Sequence, residues 1–313
     1  MKTRIILSIL FAVSMNQFVI GQAKVSNKSM SGETSKSKSA SKIYERGNKK
    51  ITITTIASLN SANDEFYISA YKDGYVYSVL KSGKTPEASN DASFYFVQSA
   101  KGRFGKPQKF DLNTPIGLIP VAVSFDKNNS KMFVTCTTSG KNQRYNIYEA
   151  SLVGKKWSNW TEIAVSKKMK SAGFPVVDST GTKIYFSAIP IGGSRGYDIY
   201  SVTKTKSGWQ DAKNIGEDIN SDGNDMYPTL FNSHLFFSSN EKVGEGKYDI
   251  IFTDLNDNSF SCYNPGYPIN SNSDEQMFIL NADNTSGLLV RKNDSKAGFD
   301  IYQMKVDAAF ISK

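Results

Sequence analysis

Residues 173–209 read GFPVVDSTGTKIYFSAIPIGGSRGYDIYSVTKTKSGW, and their grammar is that of short antiparallel strands. Gly173–Val177 forms a first strand interrupted by a proline, Asp178–Gly181 a turn, and Lys183–Ser187 a second strand of branched and aromatic residues. Gly192–Gly196 is a permissive loop before a third strand at Tyr197–Val202, and Trp209 opens a fourth that ends near Ile215. No stretch of this unit leaves room for a long helix.

Working outward, Tyr197-Asp198-Ile199-Tyr200 has counterparts in Tyr145-Asn146-Ile147-Tyr148, Tyr248-Asp249-Ile250-Ile251 and Phe299-Asp300-Ile301-Tyr302. Their second members are spaced by 52, 51 and 51 residues, and a degenerate copy, Ser93-Phe94-Tyr95, lies 53 before Asn146. Regular self-similarity of this period marks stacked units, here five of them. Met132–Thr135, Leu235–Ser238 and Leu288–Val290 match the second strand, while Tyr227–Leu230 and Gln276–Ile279 match the first. Trp157 or Trp160, Phe104 and Phe260 stand where Trp209 stands, an aromatic expected to cover the seam between sheets. Four strands per unit of roughly 50 residues is the blade pattern, so the expected fold is an all-β, five-bladed β-propeller.

The strand count predicts how the ring closes. After a third strand at 299–305 only eight residues remain, too few for a turn and a full outer strand. At the other end, Ile51–Ile56 alternates in the manner of a strand and precedes Asn60-Ser61-Ala62-Asn63-Asp64-Glu65. That hexad resembles Asn220–Asp225 and Asn270–Glu275, which follow the fourth strands of two later units. Residues 50–57 are therefore expected to complete the last blade, leaving no free edge there. The expected organisation is a leader at 1–21, a basic tail at 22–49 and the propeller at 50–313.

Lys2 and Arg4 followed by the mostly apolar Ile5–Ile20 and the small residue Gly21 read as a secretory signal peptide. The run is too short, and too interrupted by Asn16 and Gln17, to read as a membrane span. The net charge of +9 points toward nucleic acid until its distribution is examined. Residues 22–50 hold eight Lys or Arg against two Glu, and the leader holds two more cations, so the rest of the chain is close to neutral. Basicity belongs to a Ser- and Lys-rich tail that lacks the apolar groups needed to fold, and no nucleic-acid partner is expected. The mature form is expected to carry no transmembrane span.

With His234 as the one histidine, His-based metal chemistry and Ser-His-Asp catalysis are not expected, and Cys136 and Cys262 fall in different units. Asp198, Asp249 and Asp300, with Asn146 as a variant, follow the hairpin loops and are expected to cap local backbone N–H groups. The hexads place Asp64, Glu65, Asp225, Asp274 and Glu275 on the connecting face, without the dense acidic spacing of a calcium loop, so interblade hydrogen bonding is the expected use. The loops Gly140–Arg144, Gly192–Gly196, Val243–Lys247 and Asp294–Gly298 mix glycines with basic residues and offer amides to an anion, but no P-loop lysine pattern follows and hairpin geometry explains the glycines. Units at 62–112 and 113–165 diverge most, and Lys101–Phe104, Thr114–Pro120 and Lys167–Lys170 are candidates for a partner surface. No catalytic, cofactor-binding or metal-ligating residues are expected.

Pro175, Ile184-Tyr185-Phe186-Ser187, Asp198-Ile199-Tyr200, Gly208-Trp209, Asn214-Ile215-Gly216 and Ile219-Asn220-Ser221 together resemble the WD-like, TolB-type propeller repeats of exported Bacteroidetes proteins. The likeness covers about residues 50–305 and is faint in the first unit. In that family such propellers are often joined to a peptidoglycan-binding domain and helical repeats, and some members serve type IX secretion or gliding. Neither addition is expected in this chain. The resemblance implies a periplasmic accessory propeller that docks on an envelope or outer-membrane protein complex, without cofactor and not an enzyme. The competing readings are a glycan hydrolase built on the hexad carboxylates, which needs two of them about 5–9 Å apart, and a lectin-like module with aromatics exposed beside polar loops.

Overall fold

The computed structural model describes residues 42–46, 49–81, 92–137, 144–193, 196–242, 244, 246–257, 261–296 and 298–311. The leader at 1–21 and most of the tail lie outside the described residues, as do Phe260, most of Gly140–Arg144 and parts of the other hairpin loops. Five antiparallel sheets follow one another along the chain. Blade 1 comprises Asp64–Tyr71, Gly74–Leu80 and Ser93–Ala100, with two short outer pieces, Arg103–Phe104 and Gln108–Lys109. Blade 2 is Ile119–Phe125, Lys131–Thr137, Tyr145–Val153 and Lys156–Glu162. Blade 3 is Met169–Val177, Lys183–Pro190 and Asp198–Thr205 with outer pieces Gly208–Trp209 and Lys213–Asn214, and blade 4 is Asp225–Phe231, His234–Ser239, Asp249–Asp254 and Cys262–Tyr263. Glu275–Leu280, Ser286–Asn293 and Gly298–Val306 begin blade 5.

The missing strand of blade 5 is supplied from the start of the chain. Lys49–Thr55 pairs antiparallel with Gly298–Val306, setting Ile51 opposite Val306 and Ile53 opposite Met304. First strands of successive blades touch, and blade 5 touches blade 1, so the five sheets form a closed ring. Lys42–Arg46 then pairs with Lys49–Thr55 as a further strand, so the sheet reaches into the stretch that composition assigned to the tail. The alternation rule stopped at Ile51 because Gly47-Asn48-Lys49-Lys50 interrupts the apolar pattern, whereas the edge of an outer strand accepts any partner that offers backbone.

Every first strand carries a β-bulge, between Glu65 and Tyr67, Pro120 and Ala122, Gly173 and Val176, Met226 and Thr229, and Glu275 and Met277. A bulge adds a residue and increases local twist, re-aiming a side chain. At Phe174 and Tyr227 the backbone takes φ of 56°, which is costly for a residue with a Cβ, and both precede proline. The second-strand motifs support the bulges. Phe174 N donates to Thr135 Oγ1 of blade 2 at 2.7 Å, Tyr227 N to Ser187 Oγ of blade 3 at 3.1 Å, and Ser238 Oγ donates to Glu275 O at 2.8 Å. The Ser or Thr that ends each of these motifs is thus a clamp on the next blade.

The re-aimed rings meet on the axis. Phe174 lies 6.0 Å from Phe66 in blade 1, 5.1 Å from Tyr145 in blade 2 and 4.6 Å from Tyr227 in blade 4, with Phe66 5.8 Å from Tyr227. Blades 1 and 3 are not neighbours in the ring, so these contacts cross its centre, where Phe174 is completely buried. Two of the aromatics expected at the seams lie there: Trp209 meets Phe133 of blade 2 at 6.1 Å, and Trp157 meets Tyr71 of blade 1 at 6.4 Å. Cys136 in blade 2 and Cys262 in blade 4 are free thiols.

Candidate functional site

Three hexads share one face with the hairpin loops, and each is built the same way. The asparagine presents both ends of its amide to a backbone residue of the preceding blade. Asn220 accepts from Ile199 N at 2.8 Å and donates to Ile199 O at 3.0 Å; Asn270 does the same to Ile250 at 2.8 Å and 2.8 Å. Asn60 reaches across the closing seam to Ile301 at 2.8 Å and 3.0 Å. The contacted isoleucine is the one in the Asp-Ile-Tyr repeat, so two sequence motifs in different blades are halves of one contact. Replacing Asn270 by Ala leaves the buried N–H and C=O of Ile250 without these partners and is expected to cost about 2 kcal/mol of stability. Urea denaturation of Asn270→Ala checks this, and a loss below about 0.5 kcal/mol would show that water replaces the amide.

The last carboxylate of each hexad turns inward, contrary to the expectation that it points to the connecting face. Glu65, Asp225 and Glu275 are fully buried. Each accepts from the backbone N and the Oγ of its own serine: Ser61 at 3.0 and 2.7 Å, Ser221 at 2.6 and 2.8 Å, Ser271 at 3.1 and 2.6 Å. Arg291 Nε lies 2.7 Å from Glu275, and Arg291 also donates to Pro268 O and Ile269 O. At the closing seam Lys296 Nζ is held by Ser61 O at 2.8 Å, Asn63 O at 2.6 Å, Glu65 at 3.1 Å, and Asp300. Asp64 is buried beside this cluster, and Asp274 faces Lys292 at 3.5 Å. Of the acids weighed for glycan hydrolysis, Glu65, Asp225 and Glu275 are thus committed to serine turns and Asp274 to Lys292.

Burial pushes the Glu275 carboxyl up to about 7, against the opposing pull of Arg291 and Ser271, and it raises Glu65 in the same way. An unfolded glutamate loses its proton near 4.5. Between these values the folded chain holds a proton that the unfolded chain releases, so stability is greatest at the acid end and falls as pH rises through about 7. From pH 5 to 8 the fall through this residue is expected to be on the order of 2 kcal/mol. Urea titrations across that range should show a shallower slope in Glu275→Gln; an unchanged slope would remove Glu275 as its source.

The hairpin-loop acids divide their roles. Asp249 Oδ2 accepts from Gly246 N at 3.1 Å, the expected backbone cap. Asp198 instead accepts from Asn214 Nδ2 at 2.9 Å, and Asp300 from Asn293 Nδ2 at 2.6 Å. Gly246 is required by proximity: a Cβ there would come within 2.2 Å of Ser273 O in the next hexad. Sequence reasoning missed Glu149, which pairs with Lys131 of its own blade and, across the seam of blades 2 and 3, accepts from Lys204 Nζ at 3.1 Å and Trp209 Nε1 at 2.9 Å. Its lone occurrence between repeats gave no spacing signal.

Apolar exposure is what remains on this face. Ile116, at the turn of the linker joining blades 1 and 2, is fully exposed, and Ile191 and Tyr267 are also exposed on hexad-side connections. Ile116 belongs to Thr114–Pro120, one of the divergent stretches singled out by sequence. Of the other two, Lys101–Phe104 forms the outer hairpin of blade 1, and Lys167–Lys170 runs from a short 3-10 helix into blade 3, on the opposite and the same face respectively.

These features define a closed five-bladed β-propeller with a plugged axis and motif-built seams. No family model matches the chain, and no curated protein matches it in sequence. Among solved structures it is similar to the endo-arabinase of Bacteroides thetaiotaomicron, at 13% identity and TM-score 0.51, over 80% of this chain and 95% of that one. It is also similar to TolB from Acinetobacter baumannii, at 13% identity and TM-score 0.45, over 82% of this chain and 60% of that one, so it spans less than two thirds of that TolB. A third is the α-L-arabinofuranosidase of Lactobacillus brevis, at 12% identity and TM-score 0.49, over 78% and 92%. Likeness at this identity shows the fold alone. It corrects the expectation that the chain is not an enzyme: that expectation took a propeller poor in catalytic groups for a binder, whereas the same fold carries an endo-arabinase, and the fold does not settle enzyme status. Among the described residues, no helix is long and apolar enough to cross a membrane.

Proposed function

We propose that this chain is an exported propeller that docks, through its hexad face, on a protein complex of the cell envelope, as a periplasmic accessory of the kind linked to type IX secretion. The observation that carries the reading is Ile116, a large apolar side chain held fully in water on a divergent linker. Covering such a side chain recovers roughly 1.5–3 kcal/mol, and Ile191 and Tyr267 extend the apolar content of the same face. The leader-like start of the sequence and the resemblance to exported propellers support the compartment.

A photo-crosslinking amino acid placed at position 116 is expected to give a discrete adduct in intact envelopes, whereas the same group at position 153, exposed on the opposite face, is expected to give none. Ile116→Asp should lower recovery of that partner about tenfold or more. Equal labelling from both positions, or none from 116, would remove the assignment.

A further inference from the structure

A pocket of about 390 Å³ opens where blade 5 meets blade 1, on the face of the 1–2 turns and 3–4 hairpins, opposite the hexads. Bonds across the seam fix its walls. Tyr75 OH of blade 1 donates to Asn281 Oδ1 of blade 5 at 2.6 Å, and Gln303 Nε2 of blade 5 donates to Gly102 O of blade 1 at 3.2 Å. Tyr75 and Phe104 bring aromatic surface to the pocket, their rings 6.3 Å apart.

The electrostatics are lopsided. The carboxylate of the lining, Asp283, is occupied by its own turn, accepting from Thr285 N, Ser286 N and Ser286 Oγ at 2.9, 2.9 and 2.7 Å. Lys101 and Lys305 line the same space, and neither ammonium has an ion-pair partner among the described residues. Lys305 lies against the Gly102 turn, where a Cβ would come 3.3 Å from its Nζ, and Gly102 itself needs its φ of 72°. Two open positive charges therefore stand beside aromatic rings and a wall of hydroxyls and amides.

We propose that this pocket binds an acidic sugar, with the carboxylate taken by Lys101 and Lys305. Sugar hydroxyls suit the amide and hydroxyl wall, and the apolar face of a sugar ring suits Phe104. A bare inorganic anion would use the lysines alone, and a neutral sugar would leave both charges unanswered. The volume falls within the range of small-molecule sites. The pocket was hidden in sequence because its two halves are separated by most of the chain and meet only through ring closure. It stands apart from the envelope-docking reading, since it lies on the other face.

Calorimetric titration of the full chain with glucuronate, glucose and acetate tests the proposal. Glucuronate is expected to bind saturably, with glucose and acetate each weaker by about tenfold or more. Lys101→Gln and Lys305→Gln should each weaken glucuronate by about fivefold or more, and together abolish it. Both side chains are exposed, so melting temperatures matching the parent are expected to accompany the loss. Phe104→Leu, which keeps apolar bulk, should weaken glucuronate without changing acetate. Absence of saturation by glucuronate, unchanged affinity in the double variant, or acetate binding as well as glucuronate would each overturn the proposal.

Discussion

Phe174→Ala is expected to lower the free energy of unfolding by about 3–5 kcal/mol, the cost of deleting a buried aromatic and leaving a cavity. The site has no means of collapsing, because the ring is held on the axis by a bulge whose N–H is clamped to Thr135 of the neighbouring blade. Phe66, Tyr145 and Tyr227 would lose a common partner at once, so the damage is shared by blades 1, 2 and 4. Phe174→Leu refills part of the space and should cost markedly less. Urea denaturation followed by circular dichroism measures both; a loss under about 1 kcal/mol for the alanine variant would mean that the axial cluster does not hold the ring together.

Ile51→Asp should be at least as damaging, at about 4 kcal/mol or more, because it puts an unpaired charge in an apolar cluster with Phe278, Met304 and Val306. Its position in the closing strand gives the variant a second signature. Loss of Lys49–Thr55 from blade 5 exposes the edge of Gly298–Val306, so association that rises with protein concentration is expected in size-exclusion chromatography. Thr55→Asp, on the exposed end of the same strand, provides the comparison and should stay within about 0.5 kcal/mol of the parent. If Ile51→Asp matched it in stability, the closing strand would not be part of the cooperative fold.

The candidate site was only half legible. Asn60, Asn220 and Asn270 were visible as a repeat, and so were Ile199, Ile250 and Ile301, but nothing in their spacing tied one set to the other. The pairing follows from packing, where an asparagine amide imitates a peptide group beside the third strand of the preceding blade. Similarly, the hexad acids were readable as acidic but not as buried. Serine turns and the cations Lys296 and Arg291 account for them, and both cations come from blade 5, whose loop and second strand lie far along the chain from Glu65.

The sequence alone determined the number of blades, the strand order within each, and the closure of the ring by residues near 50–57. Those features rest on periodic spacing and alternation, which act over a few residues and repeat. Only the tertiary structure decided that Phe174 fills the axis, that Glu65, Asp225 and Glu275 face inward, and that Lys101 and Lys305 share a pocket. Each of those depends on groups from different blades, brought together by closure of the ring, and a distance across a closed ring leaves no trace in local pattern.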